Sequence, residues 1–215
     1  MKARAMWAAP LLGAALLLAS CGISADSEPR ALPVTTTTTT VRTAEPSGDQ
    51  RANIYLVTNS ALVPTIRRLP ARTPTEVMNS LLIPPSSAEG ESLSSSIPAA
   101  TRLLGLEEAD NGLLKVDLSS DFEDVQGDAR VLALGQIVMS LTELPGVDRL
   151  QFFIDGEPLK VFSGERGDVD TVNACDYAER LRNPDDANTT GRDNDLTPGQ
   201  LAALTERRDE LMEVC

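Results

Sequence analysis

The sequence predicts an α+β fold: a two-layer sandwich of a mainly antiparallel sheet with two helices on one face. Segments whose apolar residues alternate, as in strands, flank segments with the 3.6-residue apolar repeat of helices. Turn-forming dipeptides, Asn111-Gly112 and Asp155-Gly156, join two pairs of the strand segments. The predicted order is therefore strand, helix, hairpin, helix, hairpin.

The first elements follow residue 50. The segment "ANIYLVT" alternates as a strand does, and "ALVPTIRRLP" predicts a short second strand whose Pro64 belongs at an edge or a bulge. Thr73 and Glu76 form a capping-box pattern with Pro74 at the first helical position. We expect this helix to end near Leu82, before two consecutive prolines.

The second half predicts two hairpins around a helix. The segments "TRLLGLEE" and "LLKVDL" flank Asn111-Gly112, and a strand containing Phe152 is joined through Asp155-Gly156 to "PLKVF". Between them, a helix from Asp128 carries an apolar stripe with a polar face opposite. The stripe is Val131, Leu134, Val138 and Leu141, and the polar face is Arg130, Gln136, Ser140 and Glu143.

The N-terminal residues have the layout of an export signal: two basic residues, an apolar run and small residues at the exit. The run is short for a permanent membrane span. Its end, "LASC", resembles the lipobox of bacterial lipoproteins, which predicts a signal peptide at 1–20 and a lipid on Cys21. Residues 21–50, rich in Thr, Pro and Ser, are predicted to be a disordered tether.

Charge and composition exclude several function classes. Beyond the signal the chain has 17 basic and 32 acidic residues, which argues against binding nucleic acid or lying flat on an anionic membrane. Histidine is absent, so Ser-His-Asp and Cys-His catalysis and most zinc sites are excluded.

The acidic group Asp121, Glu123 and Asp124 is interpreted as the start of a helix. The segment Asp186–Thr197 matches part of a calcium-loop pattern but lacks its final glutamate, and we interpret it as a solvated loop. No cofactor and no metal are expected.

Residues 165–215 are interpreted as an acidic C-terminal tail with a helix at 197–214. Leu201, Leu204, Arg208 and Leu211 lie along one side of this helix, with Val214 beyond. The helix either packs on its own domain or binds a partner. Once Cys21 carries lipid, Cys175 and Cys215 remain as an even pair on the oxidising side of the membrane, which predicts a disulfide, with two free thiols as the alternative.

Three segments carry a family resemblance: "IPAATRLLG", "VDLSSDF" and "LALGQIVMSLTELPGVDRLQFFIDGEPLKVF". Together they resemble the GerM-type (GerMN) domain of sporulation and spore germination proteins, over a domain bounded at 51–164. One departure is Ala100, where the family usually has glycine. The resemblance implies a small fold similar to ring-building motifs, which pack side by side in bacterial envelope machines. It implies no enzyme activity and no catalytic residues.

These observations predict a non-enzymatic, lipid-anchored interaction or scaffold module on the extracytoplasmic face of the cell membrane. Its partners would be the membrane, through Cys21, and either other copies of itself or an envelope protein. The alternative is a lipoprotein that binds a small ligand or a cell-wall fragment. A deep polar cleft would favour the ligand, and an exposed apolar patch or sheet edge would favour assembly.

Overall fold

A computed structural model describes residues 48–183 and 196–215 of the chain. Within these ranges the chain forms eight strands, three α-helices and three short 3₁₀ segments, and the predicted α+β class is confirmed. The signal peptide, Cys21, nearly all of the tether and most of the calcium-loop pattern lie outside the described residues. The strands are β1 (Gln50–Thr58), β2 (Ala61–Leu69), β3 (Leu103–Ala109), β4 (Leu113–Leu118), β5 (Arg149–Ile154), β6 (Glu157–Leu159), β7 (Val161–Ser163) and β8 (Gly167–Val169). The helices are α1 (Pro74–Leu81), α2 (Gly127–Leu141) and α3 (Pro198–Val214), and the 3₁₀ segments are Ser120–Asp124, Gly164–Arg166 and Ala174–Arg180.

Strands β1 and β2 form a two-stranded antiparallel sheet. Their turn places Asn59 and Ser60 in the left-handed region, with φ of 49° and 60°. Pro64 lies opposite Tyr55 in the middle of β2, in a sheet where each strand is an edge. The prediction that proline marks an edge strand is therefore confirmed.

Strands β3 to β6 form a second sheet in their sequence order. The predicted hairpins β3–β4 and β5–β6 are both present and antiparallel. Asp155 and Gly156 turn the second hairpin with φ of 47° and 83°. Strands β4 and β5 are parallel, because α2 lies between them in the chain and returns it to the same end of the sheet.

The predicted strand "PLKVF" is wrong as a single element. The structure divides it at Lys160 into β6, which pairs with β5, and β7, which pairs with β8 in a third sheet. Apolar alternation continues through this point, so the sequence pattern gives no sign that the chain changes partner there.

Helix α1 starts and ends where the sequence predicts. Thr73 is its N-cap and accepts a hydrogen bond from the Glu76 N–H at 3.3 Å, Pro74 is its first residue, and Leu82 is its C-cap. Helices α1 and α2 both pack on β1, and α1 also contacts β3. The core between them contains Ile54, Leu56, Val77, Ile137 and Val138, all fully buried.

The predicted polar face of α2 is not exposed to solvent. Every residue from Leu132 to Leu141 is buried, including Gln136 and Ser140. The Tyr55 N–H donates to Ser140 Oγ at 2.9 Å, and Gln136 Nε2 donates to the Tyr55 carbonyl at 3.0 Å. These side chains bond the backbone groups of β1 that do not pair with β2. The polar residues Gln136 and Ser140 therefore contact β1 and not solvent.

Candidate binding surfaces

A disulfide joins Cys175 to Cys215, with their Cα atoms 5.6 Å apart. Cys175 lies in the 3₁₀ segment Ala174–Arg180, and Cys215 is the C-cap of α3. The 3₁₀ segment begins with a capping box in which Asn173 Oδ1 accepts from the Cys175 N–H at 3.0 Å. Asp176 completes the box and also pairs with Arg166 at 2.6 Å. One cysteine is thus held by a well-ordered turn and the other by a helix end.

Helix α3 packs on its own domain, against β2 and the 3₁₀ segment Ala174–Arg180. Its buried side chains are Gln200, Leu204, Arg207 and Leu211. Of the predicted apolar side, Leu201 is 43% exposed and Val214 is 71% exposed, so the prediction is wrong for both. The buried side of α3 is therefore a different face from the predicted one, and it includes polar residues. One of them is Gln200, whose Nε2 donates to Thr65 Oγ1 at 3.1 Å.

Glu143, the residue after the C-cap of α2, connects three elements. Asn53 Nδ2 on β1 donates to its Oε2 at 3.2 Å, and the Tyr55 hydroxyl donates to its Oε1 at 2.6 Å. Arg207 Nε on α3 lies 3.8 Å from the same Oε1. The sequence pattern puts Glu143 on the polar face of α2. Its three partners lie too far away along the chain for a local pattern to reveal them.

The Tyr55 hydroxyl stays protonated in this cluster. Burial raises its pKa well above the ordinary value, and the charge of Glu143 beside it raises the pKa further. At neutral pH the hydroxyl is therefore a fixed hydrogen-bond donor to Glu143.

A polar cleft of about 280 Å³ opens beside this cluster, between the N-terminal part of β1 and α3. It is lined by Arg51, Ala52, Asn53, Ile66, Arg72, Glu143, Ala203, Glu206, Arg207 and Glu210. Arg51 lies opposite Arg68 in the β1–β2 register. No local sequence pattern marks these residues as a site, because they come from five separate segments of the chain.

A second depression, of about 560 Å³, lies along the segment between α1 and β3. It is lined by Leu81, Leu82, Pro84, Pro85, Leu93, Ser94, Ser95, Ser96, Ile97, Pro98 and Ala99. Ser94 is fastened to β1 by two backbone hydrogen bonds with Val57, at 2.9 and 2.8 Å. This segment therefore extends the outer edge of β1.

Strand β3 is the long edge of the four-stranded sheet, because β4 is its only neighbour there. The register shifts between Leu103 and Gly105, so Leu104 is an extra residue in a β-bulge. Its side chain is 48% exposed. The opposite edge, β6, is only three residues long.

The other candidates show no site among the described residues. Asp121, on the 3₁₀ segment Ser120–Asp124, accepts a hydrogen bond from Ser119 Oγ at 2.8 Å and lies 3.7 Å from Arg102 Nη2. Within residues 48–183 and 196–215, no three Asp, Glu, Cys or His side chains gather as a metal site would require. In the same ranges, the helices lack the length and apolar character to cross a bilayer.

Comparison with known proteins was made for sequence and for fold. A family model described as Germane, sporulation and spore germination, matches residues 36–160. The solved structure of the tandem GerMN domains of the sporulation protein GerM from Bacillus subtilis superposes with a TM-score of 0.50 at 19% identity, over 60% of this chain and 48% of that one. The chain thus spans about half the length of that structure. The first GerMN domain of the same protein matches with a TM-score of 0.46 at 19% identity, over 52% of this chain and 86% of that one. Among curated proteins no match was found.

Proposed function

The chain belongs to the Germane family of sporulation and spore germination proteins and contains a GerM-type domain, and we propose that it is a lipid-anchored, non-enzymatic interaction module of the cell envelope. A lipid on Cys21 would hold it at the extracytoplasmic face of the membrane. Residues 22–49 would act as a spacer, and the domain would dock a protein partner or another copy of itself.

The observation that carries the interaction role is the β3 edge. An edge strand presents unpaired N–H and C=O groups that can pair with a strand of another chain. The edges of the β1–β2 sheet are occupied in part by other segments: Ser94 pairs with Val57, and Arg182 N donates to the Leu62 carbonyl at 2.9 Å. Strand β3 has no such cover among the described residues, and the exposed Leu104 adds apolar area beside it.

Mass spectrometry of the mature N-terminus tests the anchor. We expect the first residue to be Cys21 with diacylglycerol on its sulfur and an acyl chain on its amino group. The Cys21→Ser variant should stay as uncleaved precursor or leave the membrane. Cleavage at another position with an unmodified cysteine would contradict the anchoring.

Site-specific photo-crosslinking in intact cells tests the docking edge. A photoreactive residue in place of Leu104 should give adducts of discrete mass, because the partner strand lies against it. The same residue in place of Met212, which is exposed on α3, is the matched control and should give none. If position 104 yields no adduct, or the same adducts as position 212, β3 is not the docking edge.

The ligand-binding alternative has support of its own in the polar cleft between β1 and α3. The lining of the cleft is mainly charged. It therefore suits a small charged group better than an apolar ligand or a sugar ring, which needs an aromatic platform.

A further inference from the structure

Arginines are concentrated at the cleft between β1 and α3 in a chain that is otherwise acidic, with 19 basic and 32 acidic residues. Arg51, Arg72 and Arg207 line the cleft. Arg68 lies directly opposite Arg51 across the β1–β2 register. Like charges directly opposite each other on neighbouring strands destabilise a sheet. An anion bound between them would remove this repulsion.

Three of these arginines lack a carboxylate partner. Within residues 48–183 and 196–215, Arg51 and Arg68 form neither a hydrogen bond nor an ion pair, and the one bond of Arg72 goes to the backbone carbonyl of Glu143 at 3.3 Å. Elsewhere in the same ranges arginines pair closely with carboxylates: Arg166 with Asp176 and Arg180 with Asp128, both at 2.6 Å. Arg51, Arg68 and Arg72 therefore have charge available for a ligand.

Arg207 adds an unsatisfied donor to the same place. Its side chain is 8% exposed, yet its Nε has no hydrogen-bond partner. Its other two nitrogens are used, by Glu210 Oε2 at 2.6 Å and Thr142 Oγ1 at 3.0 Å. A buried guanidinium N–H without an acceptor is costly, and a native fold normally supplies one from protein, water or ligand.

The carboxylates of the cleft meet this need only in part, because Glu143 Oε1 lies 3.8 Å from Arg207 Nε, beyond hydrogen-bond distance. Glu143 accepts from Asn53 and Tyr55, and Glu210 is paired with Arg207. Glu206 is exposed and makes no hydrogen bond or ion pair within the described residues. The uncommitted groups at the cleft are thus predominantly cationic.

We propose that this cleft binds one phosphate group, held by the guanidinium groups of Arg51 and Arg72 beside the positive charge of Arg207. The three arginines belong to three different segments, β1, the link between β2 and α1, and α3. They can therefore approach a tetrahedral oxyanion from several sides, whereas a planar carboxylate is satisfied by a single arginine fork. The phosphate comes either from a soluble compound or from a phospholipid headgroup. The binding requires neither the lipid on Cys21 nor the β3 edge, so it stands or falls separately from the proposed function.

Titration of the full chain with inorganic phosphate tests the site. The purified chain is mixed with nanodiscs of zwitterionic phosphatidylcholine, at constant ionic strength maintained with sodium chloride, and its thermal midpoint is followed. A saturable rise in the midpoint is expected. The Arg51→Gln/Arg72→Gln double variant should weaken binding at least tenfold, and Glu206→Gln should strengthen it about threefold by removing a like charge from the ligand's surroundings. Arg102→Gln, an exposed arginine away from the cleft, is the control and should bind as the unchanged chain does.

Two results would overturn the proposal. One is a midpoint that does not saturate with phosphate up to about 50 mM, and the other is equal binding by the double variant and the Arg102→Gln control. Nanodiscs that contain phosphatidic acid identify the source. If they raise the midpoint without added phosphate, and the double variant abolishes the rise, the ligand is a phospholipid headgroup. If only free phosphate acts, the ligand is soluble.

Discussion

Helices α2 and α3 both pack on the β1–β2 sheet, but they are attached in different ways. Helix α2 is buried along ten consecutive residues, and its buried polar side chains Gln136 and Ser140 make neutral hydrogen bonds to the backbone of β1. Helix α3 buries only Leu204 and Leu211 as apolar side chains, together with Gln200 and the charged Arg207, and a disulfide fastens its end. The match to the Germane family includes α2 and stops before α3. The difference indicates that α2 belongs to the domain core, whereas α3 is an added element.

The magnitudes agree with this distinction. Burying a leucine side chain contributes about 2 kcal/mol, so the two leucines of α3 contribute about 4 kcal/mol together. The disulfide closes a separation of 40 residues, worth about 4 kcal/mol in the chain-entropy model. A single covalent bond therefore matters to α3 as much as its whole apolar contact.

Removing the disulfide should give the largest separation between the two helices. In the Cys175→Ser/Cys215→Ser variant, the amides of α3 should lose about 4 kcal/mol of protection, because the unfolded segment regains the entropy of an open loop. The amides of α2 should keep theirs. Hydrogen exchange read by mass spectrometry measures both helices in one sample. Equal losses in α2 and α3 would mean that the two form one cooperative unit. Thiol labelling of the unreduced, unfolded mature chain is the direct check, and two reactive thiols per chain would mean that the bond is absent.

Gln136→Ala tests whether α2 belongs to the domain core. The substitution leaves the Tyr55 carbonyl and the Ser96 N–H without partners in the core. The free energy of unfolding should fall by about 3 kcal/mol, and α2 and α3 should lose protection together. Urea denaturation measures the change. Gln126→Ala removes an exposed glutamine just before α2 and should change stability by less than about 0.5 kcal/mol.

Glu143→Gln should loosen α3 alone, by about 2 kcal/mol of amide protection. The amide keeps the shape of the side chain but removes the negative charge near the buried Arg207. The comparison variant is Glu206→Gln, which changes an exposed carboxylate on the same cleft. If both variants behave alike, the Glu143 cluster contributes nothing specific to the docking of α3.

Acidification should give the smallest effect, at the 3₁₀ segment that holds Cys175. Burial alone would raise the pKa of Asp176, but hydrogen bonds from Arg166 and Ser163 outweigh it and lower the pKa below the ordinary value of 3.8. A depressed pKa means that the carboxylate stabilises the fold above about pH 4, and that this stability is lost as the pH falls through the folded-state value. Denaturation between pH 6 and pH 2 should show the loss, and Asp176→Asn should flatten the profile in that range.

The parts of the fold that the sequence predicts correctly are those determined by neighbouring residues. Thr73 with Pro74 starts α1, and Asn111-Gly112 and Asp155-Gly156 turn two hairpins, because each needs only its own backbone angles or a cap three residues away. Patterning also identified the apolar side of α2.

The binding surfaces could not be predicted in the same way. A polar residue on an amphipathic helix normally indicates solvent, yet Ser140 bonds the N–H of Tyr55, 85 residues earlier. The hydrogen bonds of β1 that point away from β2 have to be met by other segments. Sequence periodicity indicates which positions are apolar. It does not indicate which positions will contact unpaired backbone groups of another element. The arginine cleft was missed for the same reason, since Arg51 and Arg207 become neighbours only after α3 docks.

The pairing of Leu62 with Leu181 has a consequence for the order of folding. The hairpins β1–β2, β3–β4 and β5–β6 link residues that are close in sequence, whereas this bridge and the Arg182 to Leu62 bond join positions more than a hundred residues apart. Closing a long loop has to precede any gain from the contact, so local hairpins form fast and distant contacts slowly. The outer edge of β2 therefore stays open until the C-terminal segment arrives. We therefore expect the folding chain to expose a sheet edge that the native molecule covers in part, and we expect misassembly through that edge to become rarer once the segment around Leu181 has docked.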